Sequence, residues 1–283
     1  MANILKALID QLDLEQLEVN LFRGMSTTLG TPRVFGGQVI GQALIAASRT
    51  VEDRPCHSLH GYFLRPGDPT LPIVYEVDRI RDGRSFTTRR VVAIQKGEAI
   101  FNMSTSFQIE EPGFSHQIEM PKVPAPEDCL TEESIITRAG DELTEQMHQM
   151  VNDRPIEIRR VEPINMFKPE PRPAFQNVWF RARSTLPEDS ALHQCMLAYA
   201  SDLGILGTCT LPLGKSFFTG LMTASLDHAM WFHRPFKVDE WILFAQDSPS
   251  ATGARGFNRG NMFTEAGILI ASVAQEGLIR DVD

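Results

Sequence analysis

Asp202, Ser225 and Gln275 offer a carboxylate, a hydroxyl and an amide, a set able to hold one water molecule and aim it at a carbonyl carbon. Asp202 gives the strongest signal. It sits in Tyr199-Ala200-Ser201-Asp202-Leu203, inside a run of otherwise apolar and small residues from 196 to 206. A carboxylate placed there is partly desolvated, which raises its pKa toward the range useful to a general base. A plainer reading stands beside this one: an aspartate that caps or turns a helix end, since Gly204 follows closely. Ser225, in Thr223-Ala224-Ser225-Leu226-Asp227-His228, also reads as a residue entering a strand, and Gln275 as an exposed strand position. His57, His60, His228 and His233 cluster before two Arg-Pro turns and read as packing and turn residues rather than as bases. Asp227 and His228, adjacent on a strand, point to opposite faces and form no dyad.

Other chemistries are absent. There is no GxSxG, HExxH or GxGxxG motif. Leu213-Gly214-Lys215-Ser216 ends like a phosphate-binding loop, but Cys209 stands where its first glycine is required. Gly253-Ala254-Arg255-Gly256 has the wrong spacing for a dinucleotide turn. Cys56, Cys129, Cys195 and Cys209 form no CxxC pair, so neither a zinc site nor a disulfide framework is expected, and a reducing compartment, the cytoplasm, suits the chain. The net charge is −9, and residues 110–150, with ten acids and two bases, carry −8 of it. The remainder is near neutral, with arginine clusters at 79–90 and 255–259, so a polyanionic ligand is compatible with the charge. Without a dense basic stripe, nucleic acid is not expected as a partner. No apolar run approaches the roughly 18 residues of a membrane span, and the N-terminus does not read as a signal peptide.

The elements that must position these residues follow a repeated plan. Phe63-Leu64-Arg65-Pro66 returns as Phe232-His233-Arg234-Pro235, 169 residues later. Residues 36–48 read as a helix apolar or small nearly all round, therefore buried, whose glycines allow a close backbone approach. Strands are expected near 17–25, 57–65, 72–82, 85–95 and 98–109. The second half repeats this with a strand at 177–184, a helix at 189–206, and strands near 220–233, 240–250, 255–264 and 267–279. Between the halves, residues 111–175 hold nine of the eighteen prolines and read as a surface connection, with a helix near 131–150. Ile4, Leu5, Leu8, Ile9 and Leu12 are at helical spacing. A strand–helix–meander unit must wrap its sheet around the helix, and two such units pair into one sheet; two independent α+β domains are the alternative. The first-half helix and its end, residues 36–51, contain no acid and only one charge, Arg49. If the halves are copies, only one carries a carboxylate at its buried helix, which favours function for Asp202.

Val34-Phe35-Gly36-Gly37-Gln38-Val39-Ile40-Gly41-Gln42-Ala43, His60-Gly61-Tyr62-Phe63-Leu64-Arg65-Pro66-Gly67-Asp68, Tyr199-Ala200-Ser201-Asp202-Leu203, Leu226-Asp227-His228-Ala229-Met230-Trp231-Phe232-His233-Arg234-Pro235-Phe236 and Gln275-Glu276-Gly277 resemble the acyl-CoA thioesterase II family, the TesB type. The resemblance spans nearly the whole chain and is loosest near 115–160. It implies an α+β double hotdog fold, with hotdog units at 1–112 and 175–283 joined by a linker at 113–174. It also implies hydrolysis of fatty acyl-CoA to free acid and CoA, without a metal or organic cofactor. The family's catalytic Asp, Thr or Ser, and Gln fall on Asp202, Ser225 and Gln275. Where other members carry Thr, Ser225 lacks the methyl group that restricts the rotamer. A histidine matching His57 has also been proposed as functional in this family; it ranks below the three. Homo-oligomers, dimers or tetramers of double hotdogs, are implied as well. Two alternatives remain open. An enoyl-CoA hydratase-like hotdog protein needs a carboxylate–histidine pair, and the only histidine on the Asp202 helix, His193, is more than two turns away. A non-catalytic acyl-CoA-binding protein would normally carry an output module, and none is visible.

Overall fold

A computed structural model describes residues 6, 9–10, 12–26, 32–139 and 154–282. The first half begins with β1 (Glu15–Glu18) and β2 (Leu21–Gly24), continues through helix α1 (Gly36–Ser48), and ends in the meander β3 (Cys56–Phe63), β4 (Ile73–Asp82), β5 (Phe86–Gln95) and β6 (Glu98–Gln108). The middle of the chain supplies β7 (Leu130–Thr131), α2 (Glu132–Ala139) and β8 (Ile156–Arg160). The second half has β9 (Phe175–Ala182), α3 (Ser190–Ser201), a 3-10 helix (Ile205–Leu213), β10 (Leu221–Ser225), β11 (Asp227–Phe232), β12 (Ile242–Thr252), β13 (Arg255–Thr264) and β14 (Leu269–Asp281). Among the described residues, all fourteen strands belong to one antiparallel sheet in the order β1-β2-β4-β5-β6-β3-β11-β14-β13-β12-β9-β8-β7, with β10 also paired to β14. The halves meet where β3 pairs with β11, Gly61 opposite His228. Each of these strands would otherwise be the open edge of its own meander, and an open edge is a pairing liability.

The sheet wraps two central helices, and the composition of α1 explains how close they come. Gln38, Val39, Ile40, Gln42, Ala43, Leu44, Ala46 and Ala47 are all buried. Gly37 lies against Tyr199 and Gly41 against Cys195, so the helices run antiparallel. A methyl group on Gly37 would collide with the Tyr199 carbonyl, and one on Gly41 would stand 3.2 Å from that of Cys195. Two glycines four apart therefore form a flat strip on which α3 rests backbone to backbone. The Phe35 ring meets Tyr199 edge-on at 5.1 Å beside this contact. Buried amides are paired: Gln42 donates to Met25 O at 3.0 Å and accepts from the Tyr75 hydroxyl at 2.7 Å. The architecture is a double hotdog.

Three elements differ from the sequence reading. The strand expected near 220–233 is two strands that break at Leu226. Ser225 opposes Gly277 and Ala229 opposes Ala274, so four steps on one side face three on the other. An extra residue of this kind re-aims side chains, as a bulge does. The helix expected at 189–206 ends at Ser201. Gly204 then takes a left-handed conformation (φ +83) and the 3-10 helix follows. By length and composition Ser190–Leu213 could cross a bilayer, contrary to the expectation that no run is long enough, but 67% of its most apolar window is buried in the protein. The connection read as a surface segment instead extends the sheet, β8 on β9 and β7 on β8. Only Glu132–Ala139 of the helix expected near 131–150 falls among the described residues. Of the N-terminal helical set, Ile9 and Leu12 are helical, Leu12 is buried, and Ile4, Leu5 and Leu8 lie outside the described residues.

Candidate active site

Asp202 is the C-cap of α3. A carboxylate there faces the negative end of its own helix dipole, which is unfavourable. The antiparallel packing offsets this by placing it at the opposite end of α1, where Phe35 is the N-cap but supplies no side-chain bond. The Gly37 N–H donates to the Asp202 carboxylate. A methyl group on Gly36 would stand 2.7 Å from Asp202 Oδ2. Asp202 therefore ends a helix, as the plainer reading has it, and its carboxylate is served by the other half of the chain. Burial pushes its pKa from 3.8 up to about 6, against the lowering effect of hydrogen bonds from Gln275 and Gly37.

Gln275 sits on β14 with an alternating pattern in which Val273, Gln275, Gly277 and Ile279 face inward. It is fully buried, not an exposed strand position. Its Nε2 donates to Asp202 Oδ1 at 2.6 Å and lies 3.1 Å from His228 Nδ1. The reverse amide orientation would set an oxygen against the carboxylate, so the Nε2 assignment is the one the charges allow. Gln275 Oε1 is buried and has no protein partner among the described residues.

Ser225 ends β10 opposite Gly277. Cross-strand partners share a face, and residues two apart on a strand share a face. Its side chain therefore lies on the inward side with Gln275, as a diagonal neighbour. The Ser225 hydroxyl has no hydrogen bond to a described residue. The structure thus brings Asp202 and Gln275 into direct contact and sets Ser225 diagonal to Gln275 on the same face of the sheet.

His228, read from the sequence as a packing or turn residue rather than a base, is buried against Gln275. It faces inward on β11 with Met230 and Phe232, while Asp227 faces away and accepts the Glu276 N–H at 2.7 Å. The expected absence of an Asp227–His228 dyad is observed. His228 is 1% exposed. Its Nε2 is 2.9 Å from the Ser201 hydroxyl, which donates to Ala198 O at 2.7 Å. Burial lowers its pKa to about 3. The alternation through Met230 and Phe232 was the available signal. His57 is elsewhere, hydrogen-bonded to Ser106 at 2.8 Å and packed on Phe86. His193 Nδ1 accepts the Val238 N–H.

Past Asp202, the 3-10 helix and the segments around it enclose a cavity of about 70 Å³, lined by Gly204, Gly207, Leu211, Ile164, Met166 and Phe217 among others. Of the arginines read as possible anion partners, Arg89 is buried on Thr50 and Asp82. Arg255 and Arg259 form exposed pairs with Glu276 and Asp247, and such pairs are weak.

Residues 25–108 match the family described as acyl-CoA thioesterase N-terminal domain, and residues 146–278 match the family described as acyl-CoA thioesterase. The chain is 43% identical to acyl-CoA thioesterase 2 of Haemophilus influenzae, over 99% of each protein. It is 45% identical to the crystal structure of an acyl-CoA thioesterase II TesB2 from Mycobacterium marinum, which covers 97% of both chains with a TM-score of 0.80. A conserved protein with a hot dog fold from Alicyclobacillus acidocaldarius is 20% identical, covers 97% of this chain and 98% of its own, and has a TM-score of 0.78.

Proposed function

The chain belongs to the acyl-CoA thioesterase II family, and from that premise we propose that Asp202, Gln275 and Ser225 are the residues with which it hydrolyses its substrate. The protein is an acyl-CoA hydrolase that converts fatty acyl-CoA and water to free acid and CoA. The observation that carries the site is the Asp202–Gln275 hydrogen bond beside a buried, unpartnered Gln275 Oε1.

Both N–H groups of Gln275 point at acceptors, Asp202 Oδ1 and His228 Nδ1, so its oxygen alone is left to bind a ligand. A water molecule donating to Gln275 Oε1 and to the Asp202 carboxylate has both protons committed. Its lone pairs are then directed at the thioester carbonyl, and the Ser225 hydroxyl steadies it from the same face. With a pKa of about 6, Asp202 is ionised at neutral pH yet more basic than an ordinary aspartate. It accepts the proton as the oxygen–carbon bond forms, and burial favours the neutral acid that results. Negative charge on the former carbonyl oxygen meets the positive end of α1. The carbon–sulfur bond then breaks, and CoA leaves as a thiolate that needs little help near neutral pH. No covalent acyl-enzyme forms. The cavity beside Gly204, two residues past Asp202, takes part of the acyl chain.

The enoyl-CoA hydratase-like reading needs a carboxylate and a histidine that exchange protons with substrate. Here the Gln275 amide stands between Asp202 and His228, and burial keeps the histidine neutral. The domain division at 1–112, 113–174 and 175–283 belongs to the same proposal. So does a cytoplasmic location, supported by four free cysteines. A homo-oligomer is supported by the exposed Tyr62 and Trp231 at the β3/β11 junction.

The test is thiol release from palmitoyl-CoA, read with a thiol-reactive dye. Asp202→Asn should lower kcat roughly 100- to 10,000-fold, the usual worth of a general base, in a variant that still melts cooperatively. Near-normal turnover by a folded Asp202→Asn protein would remove Asp202 from the mechanism.

A further inference from the structure

We infer that His228 is a positioning residue for the water-binding amide: it fixes the rotation of Gln275 and is itself fixed by Ser201. The inference rests on the reading of Asp202 and Gln275 as catalytic.

The proton positions along this chain are determined by elimination. The Ser201 hydroxyl has one proton, and it is donated to Ala198 O at 2.7 Å. Toward His228 Nε2, 2.9 Å away, the Ser201 oxygen can therefore only accept. Nε2 must carry the imidazole proton. Because the ring is neutral, Nδ1 then has a lone pair and no hydrogen. That lone pair faces Gln275 Nε2 at 3.1 Å, so the amide donates one N–H to His228 and the other to Asp202 Oδ1 at 2.6 Å. An amide with both N–H groups held has its plane and its oxygen direction set. Oε1 is left as the one acceptor, buried and without a partner among the described residues. Without His228 the amide retains a single anchor and can turn about the Asp202 bond, which moves the oxygen that holds the attacking water.

The anchor belongs to the second half alone. At the matching crossing of the first half, Leu59 faces Thr105, with no imidazole and no amide. Both ring nitrogens of His228 are occupied, Nε2 by Ser201 and Nδ1 by Gln275, so neither is free for substrate. A direct acid or base role is thereby excluded.

Three measurements on the full chain test this. His228→Leu keeps the volume and removes the acceptor. It should lower kcat for palmitoyl-CoA roughly 10- to 100-fold, the scale of a misplaced reacting group, and leave KM nearly unchanged. His228→Asn, which sets an amide oxygen near the place of Nδ1, should recover most of that loss. Nitrogen-15 NMR of the wild-type histidines should show His228 protonated on Nε2 and bare on Nδ1. A folded His228→Leu protein with near wild-type kcat would overturn the inference. So would His228→Asn as impaired as His228→Leu, or a proton on Nδ1. Should His228→Leu fail to fold, the tautomer and the asparagine variant decide the matter. The site reading fails separately: an active Asp202→Asn protein refutes it, whereas inactive Asp202→Asn beside fully active His228→Leu removes only the positioning role.

Discussion

The Asp202 carboxylate is buried in a place that makes its charge costly, and that cost has a measurable signature. Its pKa is about 6 in the folded protein against 3.8 for an ordinary aspartate. The folded state therefore binds the proton more tightly than the unfolded chain does. The resulting stability is fully present below pH 3.8 and is lost as pH rises through 6. The Asp202→Asn variant lacks this dependence. The stability of the wild type relative to the variant should fall by on the order of 2–3 kcal/mol between pH 4 and pH 7, measured by denaturant unfolding at each pH. A difference that stays flat would mean that the carboxylate is not desolvated. The same group should set the acid limb of kcat/KM, with a midpoint near pH 6 and about tenfold loss per unit below it. At this scale Asp202 was legible in the sequence because a lone charge in an apolar run is conspicuous. His228 was not, because an imidazole beside a turn has many ordinary uses, and its value here comes from Ser201 and Gln275, 27 and 47 residues away.

The helices hold the site by touching. Gly37→Ala would drive a methyl group into the Tyr199 carbonyl, a backbone atom that cannot turn aside. The expected cost is about 1–3 kcal/mol, as for other overpacked contacts. The loss of activity should exceed what that destabilisation explains, because the Gly37 N–H holds Asp202. Thermal melting and kcat on the same preparation separate the two effects. Gly207 is the opposite case. It lines the cavity past Asp202, and a Cβ there meets nothing within 4 Å. Gly207→Leu should fold and fill that space, shifting preference from palmitoyl-CoA toward shorter acyl-CoA, read as the ratio of kcat/KM values; an unchanged ratio would place the acyl chain elsewhere. The close approach of α1 was legible from its glycines. The break at Leu226 was not, since nothing in Ala224-Ser225-Leu226-Asp227 marks an extra residue. Yet that residue puts Ser225 and His228, three apart, on one face of the sheet.

Across the whole molecule, two halves built on one plan share a sheet, and the proposed site draws on both. Asp202, Gln275, Ser225 and His228 come from the second half, and the helix end that meets Asp202 comes from the first. The repeat of Phe63-Leu64-Arg65-Pro66 as Phe232-His233-Arg234-Pro235 made the duplicated plan readable. The strands β7 and β8 were hidden because prolines and acids surround them, and they gain their order by pairing at the edge of an existing sheet. The central claim is that Asp202 activates water and does not itself attack. A single turnover of palmitoyl-CoA on excess protein in oxygen-18 water tests this, because an anhydride on Asp202 that water opens at the aspartyl carbonyl carries the label into the protein. Attack by water predicts oxygen-18 in the released acid and none in the peptide containing Asp202. Oxygen-18 in that peptide, with an unlabelled acid from the first turnover, would show a covalent acyl-enzyme and contradict the account.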